Sequence, residues 1–161
     1  EYPHVLTGMI EEWGGEVIDY PERRHCCGFG FRQYLVKSTR GYSVSNTKKK
    51  LDSMESYNPD FIVTNCPGCT FFIDRWQYVI AEMDKKTYGK DGMGIPVITY
   101  EEMAGLVLGY DPWELGMQLH QTAVEPLLDK IGVSYNRDDK YTGINGRNLS
   151  KPDMSSFLKC C

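Results

Sequence analysis

The sequence lacks long hydrophobic runs and an excess of positive charge. No apolar stretch approaches the roughly 18 residues that cross a bilayer, and no basic segment followed by an apolar one opens the chain. Its 161 residues include 18 Lys and Arg and 22 Asp and Glu, which gives a net charge of −4. Nucleic acids and anionic membranes normally require a basic face, so this balance argues against both as partners. We expect a cytoplasmic protein with no transmembrane segment and no bound nucleic acid.

The six cysteines are grouped in a way that disulfide frameworks seldom show. They form three clusters, which are Cys26-Cys27, Cys66-x-x-Cys69 and Cys160-Cys161. Adjacent residues cannot easily pair with each other, and structural disulfides usually join cysteines that are spread along a chain. Without an export signal we also expect a reducing compartment, in which clustered thiols are typical of metal ligands. We interpret Cys160-Cys161, which end a polar tail, as a flexible pair outside the site.

Short apolar segments alternate with helical patterns along most of the chain. Strands are predicted at EVIDY (16–20), DFIVTN (60–65) and IPVITY (95–100), each bordered by a segment with helical periodicity. This alternation predicts an α/β fold, a small Rossmann-like parallel sheet flanked by helices. Residues 1–132 are predicted to form the domain, and residues 133–161 a polar C-terminal tail that is extended or partly disordered.

The helix between the first two strands carries three consecutive lysines. Ser43 is predicted to be its N-cap, and its inner face carries apolar side chains, namely Val44, Leu51 and Met54. On this assignment the segment Lys48-Lys49-Lys50 mostly faces water. The next helix has an apolar stripe that we interpret as core, formed by Phe72, Trp76, Val79, Ile80 and Met83.

Two cysteine pairs follow directly after predicted strands. Cys26-Cys27 comes after the first strand and Cys66-x-x-Cys69 after the second. In a parallel sheet the carboxyl ends of the strands share one edge, where ligands bind. The sequence therefore predicts that the four thiols meet at the C-terminal edge of the sheet.

Four convergent thiols are typical of three kinds of chemistry. An iron–sulfur cluster and a zinc ion both accept four thiolates, while Cys66 and Cys69 alone would serve as a redox dithiol. Cys69 falls in the first turn of a predicted helix, where free N–H groups favour an anion. Neighbouring residues are expected to let the backbone approach sulfur or to stiffen the turn, namely Gly28, Gly30, Pro67 and Gly68.

Histidine is scarce, and one of the three histidines adjoins a cysteine pair. His25 directly precedes Cys26, so it is a candidate catalytic proton donor, with local packing or hydrogen bonding as the alternative. His4 and His120 are predicted to be structural or exposed.

The segments HCCGFG and DFIVTNCPGC resemble the cysteine-rich CCG domain found in the B subunits of heterodisulfide reductase, and the resemblance covers roughly residues 2–132. In that family two such domains each hold a non-cubane [4Fe–4S] cluster through five cysteines, and a disulfide is cleaved or formed between the clusters. The resemblance implies that Cys26, Cys27, Cys66 and Cys69 are cluster ligands. Some CCG domains are thought to hold zinc, so Zn²⁺ is the alternative metal.

The chain departs from the family pattern before its first cysteine pair. A lone cysteine should precede CCG, and residues 1–25 contain none. We expect that cysteine and the partner CCG domain to lie upstream, so the chain is interpreted as the second CCG domain, incomplete at its N-terminus. Cys160 or Cys161 is the alternative source of the missing ligand.

The resemblance also implies an activity and partners. The expected protein is a catalytic or electron-transfer subunit of a heterodisulfide-reductase-like complex, an oxidoreductase acting on sulfur groups. Its implied partners are a ferredoxin-like iron–sulfur subunit and a flavin-containing subunit, and its implied substrate is a small-molecule or carrier-bound disulfide or thiol. The alternatives are a zinc-binding structural domain and a metal-free thiol–disulfide exchange module.

Overall fold

The computed structural model describes residues 4–30, 34–83, 93–138 and 158–160. Within them helices alternate with three-residue strands in the order α1 (Val5–Glu12), β1 (Gly15–Val17), α2 (Arg40–Glu55), β2 (Ile62–Thr64), α3 (Pro67–Met83), β3 (Val97–Thr99), α4 (Tyr100–Val107), a 3₁₀ turn (Met117–Leu119), α5 (Glu125–Lys130) and β4 (Leu158–Cys160). The first three strands fall within or overlap the predicted segments. In the described part of the chain no helix is both long and apolar enough to cross a membrane.

The strands form two parallel pairs. β2 pairs with β3, with Ile62 opposite Val97, and α3 supplies the crossover that a parallel pair requires. β1 pairs with β4, with Gly15 opposite Leu158. The α/β class with parallel strands is confirmed, although the pairing among the described residues is simpler than one continuous Rossmann-like sheet.

β4 belongs to the segment that the sequence assigns to a polar tail. Its pairing with β1 places the backbone of Cys160 opposite that of Val17, at the carboxyl end of β1. Residues 139–157 of the tail and Cys161 lie outside the described residues.

The apolar side chains form two clusters on either side of the short strands. One lies among β3, α4 and α5 and is centred on Ile98, Met103 and Leu128. The other lies between α2 and α3 and contains Leu51, Met54, Phe72, Trp76 and Ile80, together with Cys27. Most of the predicted core positions on α2 and α3 are therefore buried, with Val44 and Val79 partly buried against this cluster, while the side chain of Met83 lies outside the described residues.

Helix α2 begins earlier than its sequence suggests. Thr39 is the N-cap and Arg40 the first helical residue, so Ser43 lies inside the helix rather than capping it. The three lysines also differ in exposure. The side chains of Lys48 and Lys49 are 38% and 66% exposed, but Lys50 is only 8% exposed. The prediction that this segment mostly faces water is therefore wrong at Lys50, because this face of α2 packs against the loop that follows β1.

A buried charged cluster ties α3 and α4 to the segment after the 3₁₀ turn. His120 Nε2 lies 3.0 Å from Glu102 Oε1, and His120 Nδ1 lies 3.7 Å from Asp74 Oδ2. Burial disfavours the charged imidazole, but the carboxylates of Asp74 and Glu102 outweigh it and raise the pKa of His120 to about 9. His120 is therefore a structural cation at neutral pH.

Stability is expected to fall as the pH rises from 6.5 to 9. A histidine whose folded pKa lies above its unfolded value of 6.5 contributes stability fully below pH 6.5 and loses it as the pH passes 9. The shift corresponds to about 3 kcal/mol. Urea unfolding of reduced protein at pH 6.5 and 9.5 tests this, with His120→Gln as the reference that cancels other titrations. A difference between the two proteins that does not change with pH would contradict the charged cluster.

Candidate functional site

The loop after β1 and the start of α3 bring two cysteines into contact. Cys27 Sγ lies 3.1 Å from Cys69 Sγ. Cys27 is buried, Cys69 is half-buried, and Cys26 and Cys66 are exposed. The structure thus joins one member of each predicted pair, while β1 and β2 belong to separate two-stranded sheets among the described residues.

The Cys-x-x-Cys segment forms the beginning of α3. The carbonyl of Cys66 accepts the backbone N–H of Thr70 at 3.0 Å and its hydroxyl at 3.1 Å, and Pro67 is the first helical residue. Proline suits this position because its missing N–H has no partner to lose there. Cys69 therefore lies in the first turn of α3, where unpaired N–H groups favour a thiolate.

Two glycines allow close packing around the cysteines. Gly28 has φ = 93°, a left-handed conformation that glycine adopts without strain, and its N–H donates to Cys26 Sγ at 3.4 Å. Gly68 lies against the ring of Phe29, and a Cβ at this position would come within 2.5 Å of Phe29 Cδ1. At Gly28 the backbone approaches a sulfur, whereas at Gly68 the close neighbour is an aromatic ring.

A row of three polar side chains on α2 holds the cysteine loop, and we call it the polar stripe: Ser43, Thr47 and Lys50. The Ser43 hydroxyl donates to the carbonyl of Gly28, and the Thr47 hydroxyl donates to the carbonyl of Cys27 at 2.5 Å. Lys50 Nζ donates to three more carbonyls of the loop, those of Glu22 at 2.7 Å, Arg23 at 2.9 Å and His25 at 3.2 Å. Residues 22–28 are therefore fixed to α2 mainly by their backbone.

The polar stripe is the part of the site that sequence reasoning missed. Its members are spaced by four and three residues, so they occupy one helical face. That face continues into the buried Leu51 and Met54. The helical spacing did contain this information, because a helix that turns Leu51 and Met54 inward also turns Thr47 and Lys50 inward.

The two contacting thiols share a proton. A hydrogen bond from the Cys69 thiol lowers the pKa of Cys27 to about 6, against the opposing effect of burial. The same bond, with burial, raises the pKa of Cys69. For Lys50, burial lowers the pKa and outweighs the attraction of the nearby thiolates. The metal-free pair is thus one thiolate and one thiol near neutral pH.

A cavity of about 440 Å³ lies beside the thiol pair. Its lining includes Cys26, Cys27, Cys69 and the basic residues Arg23, His25 and Lys50. His25, the predicted proton donor, is exposed there, and its own backbone N–H donates to the Glu22 carbonyl at 2.9 Å. The cavity therefore offers thiol sulfur and positive charge to the same space.

Among the residues that the structure describes, no three His, Cys, Asp or Glu side chains are close enough together to hold a metal ion. The donor chemistry nevertheless fits a thiolate-bound group. Two sulfurs are in contact and two more cysteines are one and three residues away along the chain. A backbone N–H already points at the sulfur of Cys26, the kind of contact that stabilises bound thiolate.

Comparison with known proteins matches this site to a family. Residues 1–74, which include all four of these cysteines, match the model of the CCG cysteine-rich domain. Over 136 residues the chain is 32% identical to the B subunit of the ferredoxin:CoB-CoM heterodisulfide reductase of Methanosarcina acetivorans, a match covering 83% of this chain and 41% of that protein. The B subunit of the enzyme of the same name from Methanosarcina mazei is 34% identical over 128 residues, covering 78% of this chain and 39% of that protein.

The chain spans about two fifths of the length of these curated relatives. The similarity to them extends over more of the chain than the 74 residues that match the family model. The resemblance read from the motifs is confirmed: residues 1–74 match the CCG cysteine-rich domain, and most of the chain is similar to B subunits of heterodisulfide reductase.

Proposed function

We propose that this domain works in a heterodisulfide-reductase-like complex as a catalytic or electron-transfer subunit that acts on sulfur groups. The observation that carries the proposal is the 3.1 Å contact between Cys27 and Cys69 beside a cavity with basic residues. The kinship with two heterodisulfide reductase B subunits supports it.

The proposed cofactor is a non-cubane [4Fe–4S] cluster held by Cys26, Cys27, Cys66 and Cys69. Soft thiolates are the ligands that iron–sulfur clusters take. Adjacent cysteines suit a cluster better than a single small ion, because its iron atoms are spread over several ångströms. When bound, such a cluster supplies one-electron chemistry at sulfur.

This chain's own residues would orient and shield that chemistry. The burial of Cys27 in the apolar cluster between α2 and α3 excludes water from one side. The polar stripe fixes the loop geometry, and the Gly28 N–H stabilises negative charge on Cys26. In the cavity, Arg23 and Lys50 offer positive charge to a disulfide or thiol substrate that carries anionic groups.

The proposed electron partners are a ferredoxin-like iron–sulfur subunit and a flavin-containing subunit. Ferredoxin stands in the names of both relatives, which supports a one-electron carrier on one side of the pathway. The basic cavity supports a small-molecule or carrier-bound disulfide on the other side. His25 at the cavity is the proposed proton donor to a departing thiolate.

A metal-free exchange module is the second candidate, and the thiol contact itself favours it. Two sulfurs at 3.1 Å with one shared proton are arranged for dithiol chemistry. The pair that would react is then Cys27 and Cys69, rather than the Cys66 and Cys69 that the spacing suggests.

Metal and acid-labile sulfide analysis of protein purified without oxygen distinguishes the candidates. We expect iron with sulfide and a brown colour, together with an EPR signal in one oxidation state. About one zinc per chain without sulfide would indicate a structural zinc domain instead. A colourless, metal-free protein in which Cys27 and Cys69 oxidise reversibly would establish the exchange module and contradict the cluster.

A further inference from the structure

Lys50 is a buried cation whose ammonium group is fully used by the cysteine loop. It is 8% exposed, and its Nζ contacts three backbone carbonyls at 2.7, 2.9 and 3.2 Å. A lysine ammonium has three N–H donors and no acceptor. The number of carbonyls matches the number of donors, so the loop is folded around this one group.

This match of three N–H donors to three carbonyls indicates that the Lys50 side chain stays protonated. A neutral amine has only two N–H donors, so one of the three carbonyls would lose its partner. The ring of Tyr20, whose centroid is 5.3 Å from Nζ, adds a face that attracts a cation. Burial lowers the pKa of Lys50, and the negative charge of the nearby cysteine site opposes that effect.

The hydrogen-bond partners of the Lys50 ammonium given by the structure are all carbonyls of the loop. Lys48 and Lys49 differ in this respect, because they pair with the carboxylates of Asp52 at 2.8 Å and Glu22 at 3.3 Å. The positive charge of Lys50 is thus directed toward the cysteine site and its cavity, where it is poorly screened by salt.

We propose that Lys50 is a positioning residue that fixes the Cys26-Cys27 loop and, through its buried charge, raises the reduction potential of the cofactor held there. The electrostatic part rests on the proposed function. Reduction adds one negative charge to the cofactor, and a nearby cation stabilises that state more than the oxidised one. Neutral substitution should therefore make the centre harder to reduce.

The test is a mediated redox titration of the cluster-loaded protein in three variants. Lys50→Met removes the charge and keeps most of the volume, Lys50→Arg keeps the charge, and Lys48→Met is the matched control on the exposed side of α2. At a fixed electrode potential we expect the ratio of reduced to oxidised centre to fall about tenfold in K50M, which corresponds to about 59 mV for one electron. K50R and K48M should stay near the wild-type value, and the shift should persist at high salt.

A wild-type potential in folded, cluster-containing K50M would overturn the proposal, because a purely structural role leaves the potential where it was. If K50M fails to fold, the comparison moves to Lys50→Gln, with the same expected direction. A shift in K48M as large as that in the Lys50 variant would also overturn it, since the effect would then belong to surface charge in general.

Hydrogen exchange of the metal-free protein separates this proposal from the proposed function. The amides of residues 23–28 should exchange faster in K50M than in wild type, with no change in K48M, whether or not the protein binds iron. If wild type contains no cluster, the proposed function fails, and this exchange result alone decides whether Lys50 positions the loop. Unchanged exchange in K50M would overturn the positioning role.

Discussion

Replacing Cys27 by serine is expected to remove the proposed iron–sulfur cluster from the protein. Its sulfur is buried, touches that of Cys69, and belongs to the loop held by the polar stripe. A serine oxygen is a hard, poorly ionised donor, so iron and sulfide content should fall by roughly tenfold or more. Metal and sulfide analysis of protein purified without oxygen measures the effect, and Cys69→Ser should behave alike.

Two controls separate loss of a ligand from loss of the fold. Cys27→Ala keeps the site apolar, so its far-UV circular dichroism and thermal unfolding in the metal-free state should stay near wild type while its metal is lost. The Cys160→Ser/Cys161→Ser double variant changes two cysteines outside the motif and should keep its metal. Folded C27S or C69S protein with wild-type iron and sulfide would refute the assignment of these ligands.

Gly28→Ala is expected to destabilise the protein by about 3 kcal/mol and to displace the cysteine loop. Gly28 has φ = 93°, where a side chain is strained. Its new Cβ would also collide with the backbone carbonyl of Ser43, inside the helix that anchors the loop. Because α2 cannot retreat without losing the buried contacts of Leu51 and Met54, the loop must move and carry Cys26 and Cys27 with it.

Gly41→Ala is the matched control for this substitution, since Gly41 lies in α2 and a Cβ there would meet no other part of the chain within 4 Å beyond its own helical turn. Alanine there should be neutral or stabilising by up to about 1 kcal/mol. Urea unfolding of the metal-free proteins and metal content of the loaded ones measure both effects. A G28A protein as stable as G41A would show that the loop is not pressed against α2.

The approximate positions of the first three strands followed from local patterns. The segments before Cys26 and Cys66 are short and apolar, and turn residues border them, so strands could be predicted there, although β1 ends at Val17 rather than at residue 20. Among the described residues β1 and β2 belong to separate parallel pairs, so a shared sheet edge does not by itself account for the contact of Cys27 with Cys69. The polar stripe of α2 holds the loop that carries Cys27.

The spacing on α2 placed Thr47 and Lys50 on its inner face, but it could not predict the carbonyls that they bind. Ser43 resembles an N-cap and Lys50 resembles a solvated side chain, because both residue types usually occupy those positions. Their use here depends on carbonyls from a loop 15 to 28 residues away in sequence. Residue propensities describe local preferences, so they cannot indicate carbonyl partners that come from a distant part of the chain.

The pairing of the strands was the other feature that the sequence could only partly predict. Helix α3 between β2 and β3 makes their parallel pairing a local consequence of the sequence, whereas β1 pairs with a strand from the opposite end of the chain. The residues of β4, Leu158–Cys160, follow a long polar segment that predicts no strand on its own. Their strand conformation depends on the edge that β1 offers, which is a tertiary partner.

The pairing of β1 with β4 also determines the order in which the molecule folds and opens. Three residue pairs must offset the entropy of closing a loop that contains nearly the whole chain. The β2–β3 pair closes only the crossover through α3 and can form early. We therefore expect β4 to dock last and detach first, so that the amides of this ladder exchange at a free energy well below that of global unfolding. Local opening of the structure is therefore expected to begin at the edge of β1.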